Sequence, residues 1–247
     1  MTPKVRTPVD PAYLRDLFSH SARFYDPVNA ITSWGWVRRW RDETVALAAP
    51  RPADRVLDAF SGPGGLAERA AAKLGSGSEL VLADLSPVML QAARRRLSPR
   101  QGREGAPSPR IAYVTGDILR DDLGLGTFDV VLLGWGLRYV PDTPVALARL
   151  RDLIRPGGRL AILEFTKPTA GGRALPAQIY FRRVLPRLAS WLARDRELYD
   201  YLRASSEMFL DGPALIDAVT ATGLTVVGRR SHLGGLVTIV AAMSEGG

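Results

Sequence analysis

Cysteine is absent from the 247 residues of the chain. Without thiols the protein can form no disulfide, hold no zinc ion through thiolates and use no mechanism that needs a cysteine nucleophile. Histidine is scarce as well, since only His20 and His232 occur. A lone histidine is more often a packed or surface residue than a base, so we predict no metal site and no histidine-based catalysis.

Long apolar runs are also missing. No stretch of about 18 apolar residues occurs, and the first ten residues are polar and rich in proline, unlike a secretory signal. We therefore expect a soluble, cytoplasmic protein. With 46% hydrophobic residues the chain can bury one sizeable core, which favours a single domain over two.

Lysine is rare, although the net charge is +8. It occurs only at Lys4, Lys73 and Lys167, so all the other cations among the 33 are arginines, and these are scattered along the chain. The densest run, 94–96, lies near a predicted helix end, where the helix dipole favours cations. This dispersion favours a solvated basic surface and no nucleic-acid partner, and it leaves open a peripheral contact with an anionic membrane surface.

Among the features that are present, the stretch from Arg55 to Leu66 organises the chain. Apolar residues lead up to Asp58, then small residues and a proline precede an alanine-rich segment, which predicts a strand, a tight turn and a helix. Gly62 and Gly64 permit positive φ and let a ligand press against bare backbone. A carboxylate in this position disfavours a phosphate group and favours an amine-bearing cation such as S-adenosylmethionine (SAM).

A second acid, Asp84, ends the next apolar strand. It comes about twenty residues after the glycines, where nucleotide-binding folds place a carboxylate that binds ribose hydroxyls. Asp117 follows the third predicted strand, and we expect it beside the adenine amino group. The combined pattern predicts a SAM site. Its candidate residues are Asp58, Ser61, Gly62, Gly64, Asp84, Leu85, Met89, Asp117, Ile118, Gly134 and Trp135.

Predicted strands and helices alternate from Arg55 onward, which indicates an α/β fold with a mostly parallel sheet and helices on both faces. Two final β runs, 224–229 and 236–243, are short enough to close the sheet as an antiparallel pair. The polar stretch 98–109 is predicted to be an exposed loop. The other predicted strands are 55–60, 79–84, 111–115, 128–134 and 159–165, and the predicted helices are 64–75, 86–98, 143–154 and 211–222.

Helical patterns flank this alternating region on both sides. The N-terminal pattern carries Trp34, Trp36 and Trp40 and is predicted to cover the mouth of the site, with an ordinary packing helix as the alternative. The pattern after the fifth strand has an apolar face at the edge where parallel sheets bind ligands, which predicts a substrate lid. The parts of the single predicted domain are a helical cover (1–50), a SAM-binding core (55–168), a helical lid (169–210) and a C-terminal helix and strand pair (211–247).

Several short motifs accompany these elements. Besides the acids and glycines above, they are Tyr25-Asp26, Asn29, Trp40, Met89-Leu90, Gly136-Leu137-Arg138, Arg155-Pro156-Gly157-Gly158, Leu163-Glu164-Phe165, Lys167-Pro168, Leu185-Pro186, Tyr201-Leu202 and Gly234-Gly235. With them the chain resembles class I SAM-dependent methyltransferases, and more narrowly the ubiquinone/menaquinone biosynthesis C-methyltransferases of the UbiE/MenG type, from about residue 24 to residue 240. The resemblance implies a Rossmann-like fold with a seven-stranded sheet, SAM as cofactor and a hydrophobic small-molecule acceptor.

Departures from the family pattern cluster on the substrate side. The family usually has Phe-Gly-Leu-Arg-Asn-Val, whereas this chain has Trp135 before the glycine and Tyr139 in place of the asparagine. A family glutamate becomes Ala204, and a histidine near the C-terminus becomes Val240. In the glycine turn, Ser61 replaces a glycine, which is a small enough change to keep SAM binding. The resemblance therefore implies that the reaction class is kept, while it leaves open whether the acceptor is a respiratory quinol.

The candidate catalytic residues are Arg138, Tyr139 and Tyr25. Methyl transfer from a sulfonium mainly requires the protein to aim and desolvate the acceptor. Arg138 can stabilise a phenolate through its charge or form a salt bridge that pins the lid, and Tyr139 can bind the acceptor or pack. Tyr25 resembles a family position at the mouth of the site, with a structural role at a helix end as its alternative.

We therefore predict an enzyme that methylates a carbon or oxygen of a hydrophobic phenolic or quinol-like molecule, either a demethylquinol or a natural-product intermediate. A nicotinamide oxidoreductase is disfavoured because Asp58 precedes the glycines. Two alternatives stay open: N-methylation of a phospholipid or amine, and a methyltransferase fold that keeps SAM as a structural ligand for another reaction. A homodimer is also left open.

Overall fold

The structure, a computed structural model, describes residues 12–17, 19, 35–101, 108–168, 179–184, 187, 201 and 204–246. Its longer helices are α1 (Trp36–Ala48), α2 (Gly65–Ala71), α3 (Pro87–Gln101), α4 (Thr143–Asp152) and α5 (Gly212–Thr220). Its strands are β1 (Arg55–Ala59), β2 (Glu79–Asp84), β3 (Arg110–Thr115), β4 (Phe128–Gly134), β5 (Ile154–Phe165), β6 (Thr225–His232) and β7 (Val237–Met243). Residues 12–17 and 204–208 are also helical, Leu137–Tyr139 form a 3-10 turn, and Tyr180–Val184 form a π-helical turn.

The seven strands form one sheet in the order β3-β2-β1-β4-β5-β7-β6. The strands β1 to β5 pair in parallel, whereas β7 runs antiparallel to both β5 and β6. The predicted fold class and the antiparallel C-terminal pair are confirmed. Because the strand order reverses between β1 and β4, the connections diverge there and leave a crevice at the carboxyl edge of the sheet.

The local sequence accounts for the central elements. Strand β4 is buried along nearly its whole length, as expected for a strand covered on both faces. Helix α4 begins where the Asp142 carboxylate accepts a hydrogen bond from the Val145 amide at 3.0 Å. Helix α5 begins in the same way, with Asp211 accepting from Ala214 at 2.9 Å. A capping aspartate followed by a proline marks both helix starts.

Four element ends differ from the sequence prediction by three or more residues. Helix α2 ends at Ala71, four residues before its predicted end. Helix α3 continues through Ser98 and Pro99 to Gln101, into the predicted loop, although proline disfavours the interior of a helix. Strand β5 begins at Ile154, which pairs with Phe128 ahead of a register shift. Strand β6 extends to His232 because its polar end pairs with β7. These strand ends depend on pairing with a neighbouring strand, which the polar pattern of the segment itself does not reveal.

Helix α1 packs across the sheet near its C-terminal strands. Trp40 is fully buried in a cluster with Trp135 and with apolar residues of β5 and β7, and its ring centroid lies 6.3 Å from that of Phe165. Trp36, by contrast, is 41% exposed. Trp40 thus belongs to the core. Its burial agrees with the alternative in which this segment is an ordinary packing helix.

Several predicted features lie outside the described residues. These are Tyr25, Trp34, His20 and most of the predicted lid. Within the residues that are described, no helix combines the length and apolar character that crossing a membrane requires.

Candidate active site

A cavity opens at the carboxyl ends of β1, β2 and β4. It contains about 1070 Å³ of empty space, a figure that includes open solvent at its mouth. Most of the predicted SAM-binding residues line it, and the sheet therefore brings them together. They are Asp58, Ser61, Gly62, Asp84, Leu85, Met89, Asp117, Gly134 and Trp135.

The glycine turn after β1 has the conformation that the sequence predicts. Gly62 and Gly64 have φ values of 51° and 76°. A Cβ added at Gly62 would meet no atom within 4 Å, so this part of the turn leaves open space beside the backbone. A Cβ at Gly64 would lie 3.0 Å from the Cβ of Ala93, so this glycine allows α2 to approach α3 closely. Gly64 therefore serves the packing of these two helices and does not line the cavity. The predicted residue Ile118 does not line it either, because it lies in the hydrophobic core.

Asp84 is held in place by backbone groups. Its Oδ2 accepts a hydrogen bond from the Gly62 amide at 2.8 Å, and its Oδ1 accepts one from the Ser86 amide at 2.8 Å. Burial raises the pKa of this carboxyl, although both hydrogen bonds oppose the rise. Each carboxylate oxygen has a second lone pair, so Asp84 can still accept hydrogen bonds from the hydroxyls of a ribose.

Asp58 lies almost completely buried at the base of the cavity. Its Oδ2 accepts a hydrogen bond from the Ala67 amide at 2.9 Å. Burial raises its pKa to about 8, although the Ala67 hydrogen bond and the positive charge of Arg41 oppose the rise. A carboxyl in this state gains most from a ligand that brings a positive charge.

Arg41 is a lining residue that the sequence prediction missed. It is 8% exposed, and its guanidinium carbon lies 5.3 Å from the centroid of the Trp135 ring. The one signal in the sequence is its position next to Trp40, one of the residues that carry the resemblance to the UbiE/MenG type. Its burial depends on how α1 packs, which no local pattern specifies.

The Ser61 Oγ and the Trp135 Nε1 of the cavity wall are buried and have no hydrogen-bond partner among the described residues. Buried polar groups are nearly always paired in folded proteins, so unpaired ones in a cavity suit a ligand. Together with two carboxylates and an open glycine turn, they fit the amino acid and ribose groups of SAM.

Asp117 and two apolar residues form another part of the wall. The Asp117 Oδ1 accepts a hydrogen bond from the Leu119 amide at 3.0 Å, which fixes the carboxylate in its own turn. Leu85 and Met89 supply apolar surface nearby. This combination of a flat apolar wall and one acceptor suits a heterocyclic amine such as adenine.

The N-terminal helical segment closes part of the mouth. Leu14 and Arg15 line the cavity, and the hydroxyls of Ser19 and Ser86 lie 2.7 Å apart in a hydrogen bond. The predicted cover thus reaches the cavity through Leu14 and Arg15, whereas α1 contributes Arg41.

Arg138 is engaged in a buried ion pair at the end of β5. Its Nη1 lies 2.5 Å from the Oε1 of Glu164, and both side chains are almost completely buried. Glu164 also accepts hydrogen bonds from the Leu137 and Phe165 amides, at 3.0 and 2.9 Å. Burial raises the pKa of Glu164, and Arg138 opposes this. Arg138 therefore forms a salt bridge, as one of its two predicted roles requires. Its anionic partner, Glu164, belongs to strand β5, whereas the sequence analysis expected the salt bridge to pin the lid.

Tyr139 connects this ion pair to the cavity. Its hydroxyl accepts a hydrogen bond from the Arg138 guanidinium, and the residue lines the cavity. Its ring stacks on that of Tyr201, with centroids 5.6 Å apart and an interplanar angle of 23°. Tyr13 meets Tyr201 edge-on at 6.2 Å. Burial raises the pKa of Tyr201 to about 12, with the Arg138 charge opposing, so this phenol stays protonated.

Comparison with known proteins agrees with this geometry. The model of the ubiE/COQ5 methyltransferase family matches residues 6–244. A demethylmenaquinone methyltransferase of Thermus thermophilus is 37% identical, with 85% of this chain and 92% of the relative covered. A ubiquinone/menaquinone biosynthesis C-methyltransferase of Coxiella burnetii is 32% identical, with 92% and 88% covered.

Solved structures also share the fold. The crystal structure of the cyclase SpnF matches with a TM-score of 0.64 and covers 95% of this chain and 96% of its own. The two sequences are 14% identical, so this likeness concerns the fold alone.

Proposed function

The chain belongs to the ubiE/COQ5 methyltransferase family, and from this premise we propose that it methylates a ring carbon of a hydrophobic quinol-like or phenolic small molecule. It is a SAM-dependent methyltransferase, so the proposal concerns the acceptor. The observation that carries it is an apolar part of the cavity wall with one phenolic side chain, formed by Tyr139, Val140 and Pro141 after β4 and by Phe60 after β1. Such a wall suits an acceptor that has an aromatic ring and one hydroxyl group.

Tyr139 is the group that we propose to contact the acceptor oxygen. Arginine can only donate hydrogen bonds, so the Tyr139 oxygen is the acceptor in its contact with Arg138. The same hydroxyl can donate its hydrogen to a phenolic oxygen, and the neighbouring positive charge makes it a stronger donor. Arg138 acts through Tyr139 in this arrangement, and Glu164 fixes Arg138.

The residues of the glycine turn and strand ends would hold the methyl donor. We propose that Asp58 binds its ammonium group, Asp84 its ribose hydroxyls and Asp117 its adenine amino group. When bound, SAM supplies an electrophilic methyl carbon on a positively charged sulfur. The aromatic side chains around the cavity would exclude water from the reacting groups.

We also propose that the cover (1–50) and the lid (169–210) meet above the SAM-binding core (55–168) within one domain. The edge-on contact of Tyr13 with Tyr201 supports this, because the two rings belong to these two segments. The stacking of Tyr201 on Tyr139 extends the contact to the cavity wall. An acceptor would then be enclosed by aromatic rings from three parts of the chain.

The experiment offers labelled SAM with two matched sets of acceptors. One set contains demethylmenaquinol with a short isoprenoid tail, and the other contains tail-free naphthols and phenols. We expect products that carry one additional methyl group on a ring carbon, identified by mass and by NMR. Tyr139→Phe should lower turnover by roughly tenfold to a hundredfold with SAM affinity unchanged, because it loses one hydrogen bond to a developing negative charge.

Several results would contradict the proposal. Label that appears only on phosphatidylethanolamine or on amines would indicate N-methylation. SAM that binds but is not consumed with any phenolic or quinol acceptor would favour a structural ligand. Label on oxygen would retain the acceptor class and overturn the choice of carbon.

A further inference from the structure

The cavity contains a buried cation close to the glycine turn. Arg41 projects from α1 and shares the cavity wall with Asp58, Gly65 and Trp135. We infer that Arg41 binds the carboxylate of the methionine part of SAM. Asp58 would bind the ammonium group of the same amino acid, so that the pair recognises a zwitterion.

The position of Arg41 is fixed on several sides. Trp40, its neighbour in α1, is fully buried, which anchors the helix at this point. The guanidinium lies over the Trp135 ring at 5.3 Å from its centroid. It also covers Gly65, where an added Cβ would overlap the guanidinium group. Glycine at this position thus gives Arg41 its place beside the turn.

The charges in this part of the cavity match an α-amino acid. Asp58 is buried, and the positive charge of Arg41 lowers the pKa of its carboxyl group. An amino acid carries an ammonium and a carboxylate on the same carbon, and a site with Asp58 alone would repel the carboxylate. An arginine can bind a carboxylate with two parallel hydrogen bonds.

Arg15 is the other arginine of the described cavity wall, and it is a weaker candidate. Its side chain is about half exposed and lies 3.0 Å from the carboxylate of Asp16. Solvent screens such a surface cation, whereas Arg41 is buried against the turn.

The inference is tested by calorimetric binding of ligands that differ in one charged group. SAM carries both groups, and decarboxylated SAM lacks only the carboxylate. The wild-type protein should bind SAM at least about tenfold more tightly than decarboxylated SAM, the loss expected for a buried charge-assisted pair. Arg41→Met should lose this preference, with the affinity for decarboxylated SAM changed by no more than about threefold.

Arg38→Met is the matched control, since Arg38 is exposed on the same helix. It should keep the full preference. Equal wild-type affinities for SAM and decarboxylated SAM would overturn the assignment, as would an Arg41→Met protein that still prefers SAM. If that variant does not fold, Arg41→Lys replaces it, and unchanged SAM affinity would then overturn the assignment because lysine lacks the planar fork. The test uses no acceptor, so its result does not depend on the proposed acceptor class.

Discussion

At the scale of single residues, burial sets the charge of Asp58. Its pKa of about 8 in the folded protein exceeds that of an exposed aspartate, because desolvation outweighs the Ala67 hydrogen bond and the charge of Arg41. Between about pH 4 and pH 8 the folded state therefore holds a proton on Asp58 that the unfolded state has already lost. This group makes the ligand-free protein less stable as the pH rises through that window.

Binding of a cationic ligand should reverse this protonation. A positive charge beside Asp58 lowers its pKa, so we expect SAM binding at pH 6.5 to release close to one proton. Calorimetry in phosphate and in Tris measures this release, because the two buffers differ in ionisation enthalpy. At pH 9, where Asp58 is already ionised, binding should release no proton, and the α-amino group of SAM, with an ordinary pKa of about 8, should instead take one up.

Asp58→Asn is the control, since an amide has no proton to release. It should bind SAM weakly and without any effect of the buffer at pH 6.5. If the wild-type protein also shows no buffer effect at that pH, Asp58 is not the group that meets the ammonium.

The sequence could predict the carboxylates of the cavity but not its arginine. Asp58 and Asp84 follow from apolar runs, because parallel strands bring their carboxyl ends to one edge of the sheet. Arg41 lies in a helix with several other arginines, and only the packing of α1 selects it for the cavity. For Arg138 the sequence left two roles open, phenolate stabilisation and a salt bridge, and the structure shows a salt bridge to Glu164 and a hydrogen bond to Tyr139.

At the scale of elements, the Arg138–Glu164 pair joins the turn after β4 to the end of β5. Glu164 accepts hydrogen bonds from backbone amides on both sides of this junction. Removing one partner of a buried pair leaves the other charge without compensation, which costs far more than the pair itself contributes.

We expect Arg138→Met to lower the free energy of unfolding by about 3 kcal/mol or more, because Glu164 would stay buried without its cation. Glu164→Gln should also destabilise the protein. The double variant should lose clearly less than the two single losses combined, because neither charge is then left alone. Urea unfolding measures all three.

Arg151→Met on α4 is the control for this cycle. Arg151 is about half exposed in its contact with Asp152, so its loss should change stability by no more than about 0.5 kcal/mol. Additive effects of the two buried substitutions would show that the pair is not coupled.

The elements themselves were predictable wherever apolar runs and helix caps coincide. Both aspartate-capped helix starts agree with the sequence, as do the strands at the centre of the sheet. The ends of β5 and β6 do not, because Ile154 and Ser231 are held in strands by pairing with Phe128 and Thr238 of the neighbouring strands, which their own local pattern does not show.

At the scale of the whole molecule, α1 ties the N-terminal part of the chain to the last strands. Trp40 packs on Phe165, and the Nε2 of His232 lies 2.6 Å from the Oε2 of Glu43. Both contacts join residues more than a hundred positions apart. The stability of the whole domain should therefore depend on this helix.

Trp40→Ala should lower the free energy of unfolding by about 3–5 kcal/mol, since it leaves a large cavity in the core. Trp36→Ala is the matched control on the same helix, and its exposed ring should contribute no more than about 1 kcal/mol. Urea unfolding compares the two. Similar losses for both variants would show that α1 does not anchor the fold in this way.

Helix α1 also has two faces with different partners. Arg41 enters the cavity, while Glu43 and Trp40 hold the strands at the far side of the sheet. A ligand that immobilises Arg41 also immobilises the helix that covers β6 and β7. Binding of a ligand in the cavity would then slow the exchange of backbone amide hydrogens in β6 and β7, although these strands contribute no residue to the cavity wall.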